Sequence, residues 1–200
     1  MENRVWKESP KVMEGNVVTL LPLEAEHFDE LEALATDARI WEFFPIDLSK
    51  GANARHTLSI ALLEREKGNQ FPFVICHKKD NRLIGSTRLM DIQAIHRKLE
   101  IGWTWLHPDH WATAVNTECK LLLLSYCFER MEAQRVQLKT DENNLRSRKA
   151  IAKIGGQFEG ILRHDMLRDN GTKRNSAYFS ILDHEWDSVK SRLTALLQSK

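Results

Sequence analysis

The feature that most constrains this chain is a strand-like run that stops at a proline and continues through small residues into a long apolar helix. Leu99 to Leu106 has a strand pattern, Pro108 stops it, and a helical pattern runs from about Thr113 to Met131. A helix with so broad an apolar surface lies against a sheet. With the strand-like run Arg135 to Thr140 that follows, this segment predicts one strand–helix–strand crossover.

The other periodic runs predict an antiparallel setting for that crossover. Strands are predicted at residues 17–23, 71–77, 83–92, 158–166 and 175–182, and helices at 24–36, 53–67, 144–154 and 186–197. The order is β-α-α-β-β-β-α-β-α-β-β-α, without repeats, low-complexity stretches or linkers. We therefore expect one α+β (α/β) domain over residues 1–200, with a mixed, mostly antiparallel sheet.

Composition and charge disfavour several classes of function. The 29 Lys and Arg residues balance 28 Asp and Glu residues, so the formal net charge is +1 and nucleic-acid binding is not expected. The sequence shows neither an apolar run of membrane-spanning length nor a signal-peptide core, so we expect no membrane association and a cytoplasmic location. Cys76, Cys119 and Cys127 lie in apolar runs without metal-ligand spacing, which predicts buried free thiols and no metal.

The turn before the long helix has the residues of an anion cradle. Trp111-Ala112-Thr113-Ala114-Val115-Asn116 places several unpaired backbone N–H groups at the positive end of the helix, and small side chains allow a phosphate to approach them. A plain strand-to-helix turn with small residues for packing would show the same pattern. From the turn alone, both interpretations stay open.

Two motifs give the chain a family resemblance. Leu106 to Ala114 resembles motif A of the GNAT N-acetyltransferase superfamily, whose glycine-rich turn after the fourth strand holds the pyrophosphate of acetyl-CoA. Thr140 to Ser147, with the helix that ends at Gly155-Gly156, resembles motif B. The resemblance covers Val17 to Trp186 and is closest to the RimL-like branch, whose named members acetylate protein N-terminal amines.

The motif A segment departs from the family pattern at two positions. Asp109 stands where the family usually has Gln or Arg, and Ala112 stands at the first glycine, whereas Ala114 fits the pattern. If the backbone at Ala112 needs a positive φ, its Cβ costs on the order of 1 kcal/mol and crowds the phosphate. This departure motivates a second hypothesis, a catalytically weak or inactive acyl-CoA-binding module.

The resemblance implies a fold and a reaction. The fold is a GNAT-type sheet with helices on both faces and a splay between the fourth and fifth predicted strands. The reaction is direct attack of a primary amine, on a protein N-terminus or a small molecule, on the acetyl group of acetyl-CoA. The implied coenzyme-binding residues are Trp105, Leu106, Trp111, Ala112, Thr113, Ala114, Val115, Asn116, Asn144 and Ser147.

Two further roles in catalysis follow from the resemblance. Glu100 is implied as general base, because the branch carries an acidic residue before an Ile-Gly pair; a solvated carboxylate paired with Arg88 or Lys98 is an equally good interpretation. His107 and His110 are second choices, since imidazole titrates near neutral pH.

The motif B residues are assigned the roles of general acid and pantetheine-binding residue. Ser147 is implied as the general acid that returns a proton to the departing thiolate. Asn144 is expected to bond the pantetheine amide or to cap the helix, and both roles can hold together.

Aromatic residues of the early part of the chain are candidates for the acceptor cleft. Trp41, Phe43, Phe44 and Trp103 are implied as its walls, with simple core packing as the alternative. The last hairpin carries a cluster of cations that could bind an acidic substrate or partner: Arg163, His164, Arg168 and Arg174. Because scattered cations on hairpin edges are usually solvated, we expect these to be solvated. Apolar surface on the last strands and the terminal helix could be covered by a second copy, so a homodimer is a candidate partner.

Overall fold

The computed structural model describes residues 6–8 and 10–199, and their strands form one sheet. The strands are β1 (Met13–Glu14), β2 (Val18–Pro22), β3 (Phe71–His77), β4 (Arg82–Gln93), β5 (Lys98–Leu106), β6 (Arg135–Asp141), β7 (Gln157–Leu167) and β8 (Lys173–Leu182). The α-helices are α1 (Phe28–Leu34), α2 (Asn53–Glu66), α3 (Ala114–Ser125), α4 (Leu145–Lys153) and α5 (Trp186–Gln198).

The sheet is antiparallel except at its centre. Its order is β1-β2-β3-β4-β5-β6-β8-β7, and β5 and β6, which α3 connects, form the parallel pair. This confirms the prediction of a mixed, mostly antiparallel sheet with one crossover. Because the short β1 precedes the first predicted strand, the predicted fourth and fifth strands are β5 and β6.

Helices cover both faces of the sheet, and each face has its own apolar core. On one face, residues of α3 and α5 such as Leu123 and Leu193 pack with Leu99, Ile101 and Val136 of the central strands. On the other face, α1 and α2 pack over the sheet. We refer to these as the α3 face and the α1–α2 face. The broad apolar surface of α3 is thus explained by burial against the sheet.

The structure differs from the predicted elements mainly at their ends. The predicted helix 24–36 begins as a 3₁₀ turn, Ala25–His27, before α1. The helix α3, which follows the candidate phosphate-binding turn, continues beyond Ser125 as a π-helical turn, Tyr126–Arg130. β1 was not predicted, because two residues are too few to show a period and it exists only by pairing with Leu20 and Thr19.

Candidate active site

The parallel strands β5 and β6 separate after a short stretch of pairing. Their register runs from Lys98 opposite Arg135 to Glu100 opposite Gln137 and ends there. A cavity of about 260 Å³ lies where the pairing stops, and its lining includes residues from both strands, α3, α4 and the loop between α1 and α2. Backbone groups released from a sheet ladder need water or a bound molecule as partner, so the splay is a natural binding cleft.

A bulge in β5 reverses the alternation of its side chains. Trp103 has a φ of +48°, and the register between β4 and β5 shifts at this point. Before the bulge, Leu99 and Ile101 pack on the α3 face; after it, Trp103 and Trp105 pack on the α1–α2 face. In an unbroken strand these four odd-numbered residues would share one face.

The bulge therefore separates two polar side chains of β5 that sequence alternation would place together. Glu100 lies on the α1–α2 face, where it meets Gln137 and Lys139 of β6. Thr104 lies on the α3 face, where it meets Lys120. The cavity is thus polar on both sides of the sheet.

The turn before α3 forms the α3-face entrance of the cavity. Ala112 has a φ of +60° and is exposed, so the anticipated cost of a Cβ at this position applies. Thr113 caps α3, with its Oγ1 accepting the Val115 N–H at 3.3 Å. Ala112 and Asn116 line the cavity. Three predicted coenzyme-binding residues do not line the cavity. The Val115 side chain is buried in the core, and Thr113 and Ala114 could contact a coenzyme only beyond the cavity lining.

This entrance fits the phosphate end of a coenzyme A. The helix N-terminus reaches solvent through small side chains, and its positive end faces the cavity mouth. Trp105 and Leu106 line the cavity where β5 leaves the sheet, beside the turn. The residues present therefore suit a pyrophosphate at the turn and an extended chain along the splay, with Ala112 where the family pattern has glycine.

A cation–π contact connects the turn to α4 across this entrance. The Arg146 guanidinium carbon lies 3.6 Å from the Trp111 ring centroid, and Trp111 Nε1 donates to the Leu106 carbonyl at 2.9 Å. Trp111 and Arg146 both line the cavity. The contact joins motif A to motif B; the sequence did not predict it, since the two residues are distant in the chain.

The first turn of α4 brings the motif B residues to the cavity. Asn144 caps the helix, because its Oδ1 accepts the Ser147 N–H at 3.0 Å. Both Asn144 and Ser147 line the cavity. The capping interpretation of Asn144 therefore holds.

Glu100 is buried at the inner end of the splay. Its side chain is 2% exposed, accepts from Gln137 Nε2 at 2.8 Å, and lies 3.3 Å from Lys139 Nζ. The interpretation as a solvated carboxylate paired with Arg88 or Lys98 is wrong, because both of its partners come from β6. Burial raises the pKa of Glu100 above its ordinary value, and the Lys139 charge opposes part of that rise.

The two histidines differ in position. His110 lines the cavity beside the ring of His77, and burial lowers its pKa. His107 instead caps the short turn at 108–110 and does not line the cavity.

Three of the four predicted aromatic residues line the cavity on the α1–α2 face. Phe43, Phe44 and Trp103 are in the lining, with Phe44 and Trp103 in ring contact at 5.7 Å. Trp41 is not: it is buried beneath them, donating Nε1 to the Ala35 carbonyl at 2.7 Å. For Trp41, the core interpretation is the one that the structure supports.

The last hairpin closes the α1–α2 side of the cavity through a buried ionic cluster. Arg174 is 6% exposed and lines the cavity, and Arg168 and Arg174 both pair with the buried Asp141. The prediction that Arg174 is solvated is wrong, because Asp141 at the end of β6 draws it inward, whereas Arg168 pairs with Asp141 and stays partly exposed. Arg163 and His164 are exposed, as predicted.

Sequence reasoning did not assign to the cavity the four cations that line it, Lys120, Lys139, Arg146 and Arg174. A signal was available for Lys120, since a lysine within an apolar helical stripe is unusual and becomes buried with the stripe. Lys139 alternates with apolar residues on β6, whereas Arg174 stands in a polar run between Lys173 and Asn175, and only the sheet shows which face is the site.

Two kinds of feature are absent from the described part of the chain. Across residues 6–8 and 10–199, no cluster of His, Cys, Asp and Glu side chains is suited to hold a metal ion. No helix in this part of the chain has the length and apolar character to cross a bilayer. The cysteines Cys76, Cys119 and Cys127 are buried free thiols, as predicted.

Comparisons with known proteins agree with this geometry. The Acetyltransferase (GNAT) domain model matches residues 18–157. YdaF of Bacillus subtilis (strain 168), provisionally named a ribosomal N-acetyltransferase, is 30% identical over 183 residues, covering 90% of this chain and 98% of YdaF. A GCN5-related N-acetyltransferase from Brucella melitensis superposes with a TM-score of 0.87 at 28% identity, covering 96% of this chain and 87% of that one.

A second solved structure shows the same fold at lower identity. RimJ of Mycobacterium smegmatis, solved in complex with CoA-disulfide, has a TM-score of 0.77 at 22% identity and covers 96% of both chains. The family model and YdaF match the sequence of this chain, and the two solved structures match its fold. The chain therefore belongs to the GNAT family of acetyltransferases and is an N-acetyltransferase.

Proposed function

We propose that this enzyme transfers the acetyl group of acetyl-CoA to a primary amine, with Glu100 as general base and Ser147 as general acid. The observation that carries the proposal is one cavity lined at once by the turn before α3, the first turn of α4 and Glu100. A donor entering from the α3 face and an amine entering from the α1–α2 face would meet at the splay. Acyl transfer needs that meeting of a thioester and a neutral amine.

Separate groups of residues would bind the coenzyme and transfer the protons. Acetyl-CoA supplies the activated acetyl group. The turn 111–116 would hold its pyrophosphate, Asn144 its pantetheine amide, and the backbone at Trp105 and Leu106 the arm and the thioester oxygen. Glu100 would take a proton from the incoming ammonium, and Ser147 would return one to sulfur.

The acceptor amine would meet Glu100, the one carboxylate among the described residues that line the cavity. Lys139 and Arg174 line the same side, so the field there does not concentrate cations, and the amine would lose its proton to Glu100 itself. A protein N-terminus fits the RimL-like resemblance and the name of YdaF, and a small-molecule amine is the other substrate class that the site admits.

The wider organisation is proposed on the same basis. The whole chain, 1–200, would act as one acyltransferase domain in the cytoplasm. A homodimer would cover the outer strand β7, where Phe158, Leu162 and Leu167 are exposed. Sedimentation of the wild type and of Leu162→Lys tests this assembly; a monomer at all concentrations would contradict it.

Calorimetry with acetyl-CoA, followed by turnover on an amine panel that includes N-terminal peptides and polyamines, tests the proposed reaction. Ser147→Ala should lower turnover more than coenzyme affinity, and Asn144→Ala should weaken coenzyme binding. Unchanged kinetics in both variants would contradict the site assignment.

The competing function, an inactive acyl-CoA-binding module, is favoured by one observation, the positive φ of Ala112 in the cradle. Binding of acetyl-CoA without turnover on any amine of the panel would support it.

A further inference from the structure

Lys120 is a buried cation that the proposed mechanism does not use. It lies on α3, is 5% exposed, and lines the cavity. Its Nζ donates to Thr104 Oγ1 at 2.6 Å, and Thr104 Oγ1 lies 2.7 Å from Thr87 Oγ1. An ammonium can only donate, so Thr104 accepts from Lys120, and its own hydroxyl can donate to Thr87.

No carboxylate of the described part of the chain forms an ion pair with Lys120. Its helix neighbour Glu118 instead accepts the amides of the β1–β2 loop. Glu100 lies on the opposite face of the sheet, as does Arg88, whose guanidinium stacks on Trp103. The titratable groups that act on Lys120 are two buried thiols, Cys119 and Cys127.

A buried lysine without an opposing charge reduces the stability of the fold. Desolvation disfavours its ammonium and lowers its pKa. A methionine of similar length would pack in the same apolar surroundings without that penalty. No ion pair in the described part of the chain offsets the cost of burying this ammonium. The burial of a lysine at position 120 is therefore best explained by a role in the cavity that it lines.

The position of Lys120 follows the path proposed for the coenzyme arm. Asn116, one helical turn earlier on the same side of α3, lines the cavity nearer the turn that would hold the pyrophosphate. Along β5, Leu106 lies beside that turn, Thr104 lies next, and Glu100 lies at the inner end. Lys120 therefore stands between the phosphate cradle and the general base, on the face where coenzyme would enter.

We propose that Lys120 is the cation that stabilises the departing coenzyme A thiolate. The inference rests on the proposed function, which places acetyl-CoA in this cleft. In acetyl transfer the C–N bond forms and the C–S bond breaks, and the electron pair of the C–S bond stays on sulfur. Glu100 takes the proton of the amine and releases it to solvent, and Ser147 gives its hydroxyl proton to sulfur and regains one from solvent. Lys120 stabilises the negative charge on sulfur before that proton arrives.

The test measures the ionisation of the coenzyme A thiol in the bound state, by ultraviolet thiolate absorbance against pH. Desulfo-coenzyme A on the same protein gives the background of the tyrosines and cysteines. An ammonium within a few ångströms lowers a thiol pKa by about one unit or more. The thiol bound to wild type should therefore have an ionisation constant at least about tenfold larger than the thiol bound to Lys120→Met.

Three other variants complete the design. Lys120→Arg keeps the charge and should keep most of the wild-type effect, and Lys120→Gln is a second neutral replacement if Lys120→Met folds poorly. Lys139→Met removes the cation on the other face of the cavity and should leave thiol ionisation as in wild type. In turnover, Lys120→Met should lower kcat on the order of 100-fold, with acetyl-CoA affinity changed by about twofold or less.

The outcomes separate this inference from the function it rests on. Equal thiol ionisation in wild type, Lys120→Met and Lys120→Gln would overturn the role of Lys120 and leave the proposed function intact. Failure of the wild type to bind coenzyme A would overturn both. A lower melting temperature for Lys120→Met with unchanged thiol ionisation would show a purely structural lysine.

Discussion

Glu100 can act as a base because of where its carboxylate is held. Gln137 and Lys139 fix it at the inner end of the splay, and a Cβ at Gly102 would lie 2.8 Å from its Oε1. A side chain at position 102 would therefore push the carboxylate away. Burial raises the pKa of Glu100, which makes the carboxylate a stronger proton acceptor than a solvated glutamate.

Replacing Glu100 with glutamine should remove the base without removing the coenzyme site. We expect kcat to fall by about 10²- to 10⁴-fold and the Kd of acetyl-CoA to stay the same. The wild-type rate should fall as the pH drops through the raised pKa of Glu100, and this acidic limb should vanish in the variant. Glu66→Gln, on the exposed side of α2, is the control; an acidic limb that persists in Glu100→Gln would assign it to another group.

The same shift in pKa affects stability with a definite sign. Because the folded state binds the Glu100 proton more tightly than the unfolded chain does, its contribution to the free energy of unfolding is present below the ordinary pKa. It is lost as the pH rises through the raised pKa. Urea denaturation across this window should show a steeper loss of stability in wild type than in Glu100→Gln.

Ala112 carries strain that glycine would not. Its φ of +60° lies in the left-handed region, where an L side chain costs about 1 kcal/mol or more. Ala112→Gly should therefore raise the free energy of unfolding by about 1 kcal/mol and tighten acetyl-CoA binding, since the Cβ also leaves the cradle. Ala114→Gly, in the first turn of α3, should instead destabilise the protein. Opposite signs in denaturation curves would confirm the argument; equal losses would refute it.

At the scale of elements, α3 is held in register by one carboxylate. Glu118 is buried and accepts the backbone N–H groups of Asn16, Val17 and Val18 at 2.8, 2.6 and 2.7 Å. The β1–β2 loop is thereby attached to the helix whose N-terminus forms the cradle. The helix cannot shift along the sheet without breaking these bonds.

Removal of the Glu118 carboxylate should lower the free energy of unfolding. Glu118→Ala leaves three backbone donors without their acceptor, so we expect a loss of about 3 kcal/mol in the free energy of unfolding. Urea denaturation measures it, with Glu132→Ala, on an exposed surface, as control. A loss no larger than that of the control would mean that water replaces Glu118.

At the scale of the whole molecule, the cavity joins elements from both halves of the chain. Because the site exists only in the folded state, a bound coenzyme must stabilise the fold, by about 2.7 kcal/mol at a concentration 100 times its Kd. Acetyl-CoA should raise the melting temperature in scanning calorimetry and slow amide exchange at the diverging ends of β5 and β6. A melting temperature independent of millimolar acetyl-CoA would refute coenzyme binding at the splay.

The sequence by itself determined the helices and all strands except the short β1, their order and the family resemblance. Residues 71–77 were predicted with the observed ends, and the Asn144 cap and Gly155 at the end of α4 were visible because caps and periodicity are local properties. The tertiary structure alone decided which side chains share a face. The bulge at Trp103 reverses the alternation of β5, so Thr104 meets Lys120 on one face while Glu100 meets Lys139 on the other. A bulge depends on pairing with β4, a contact that no local pattern in β5 encodes.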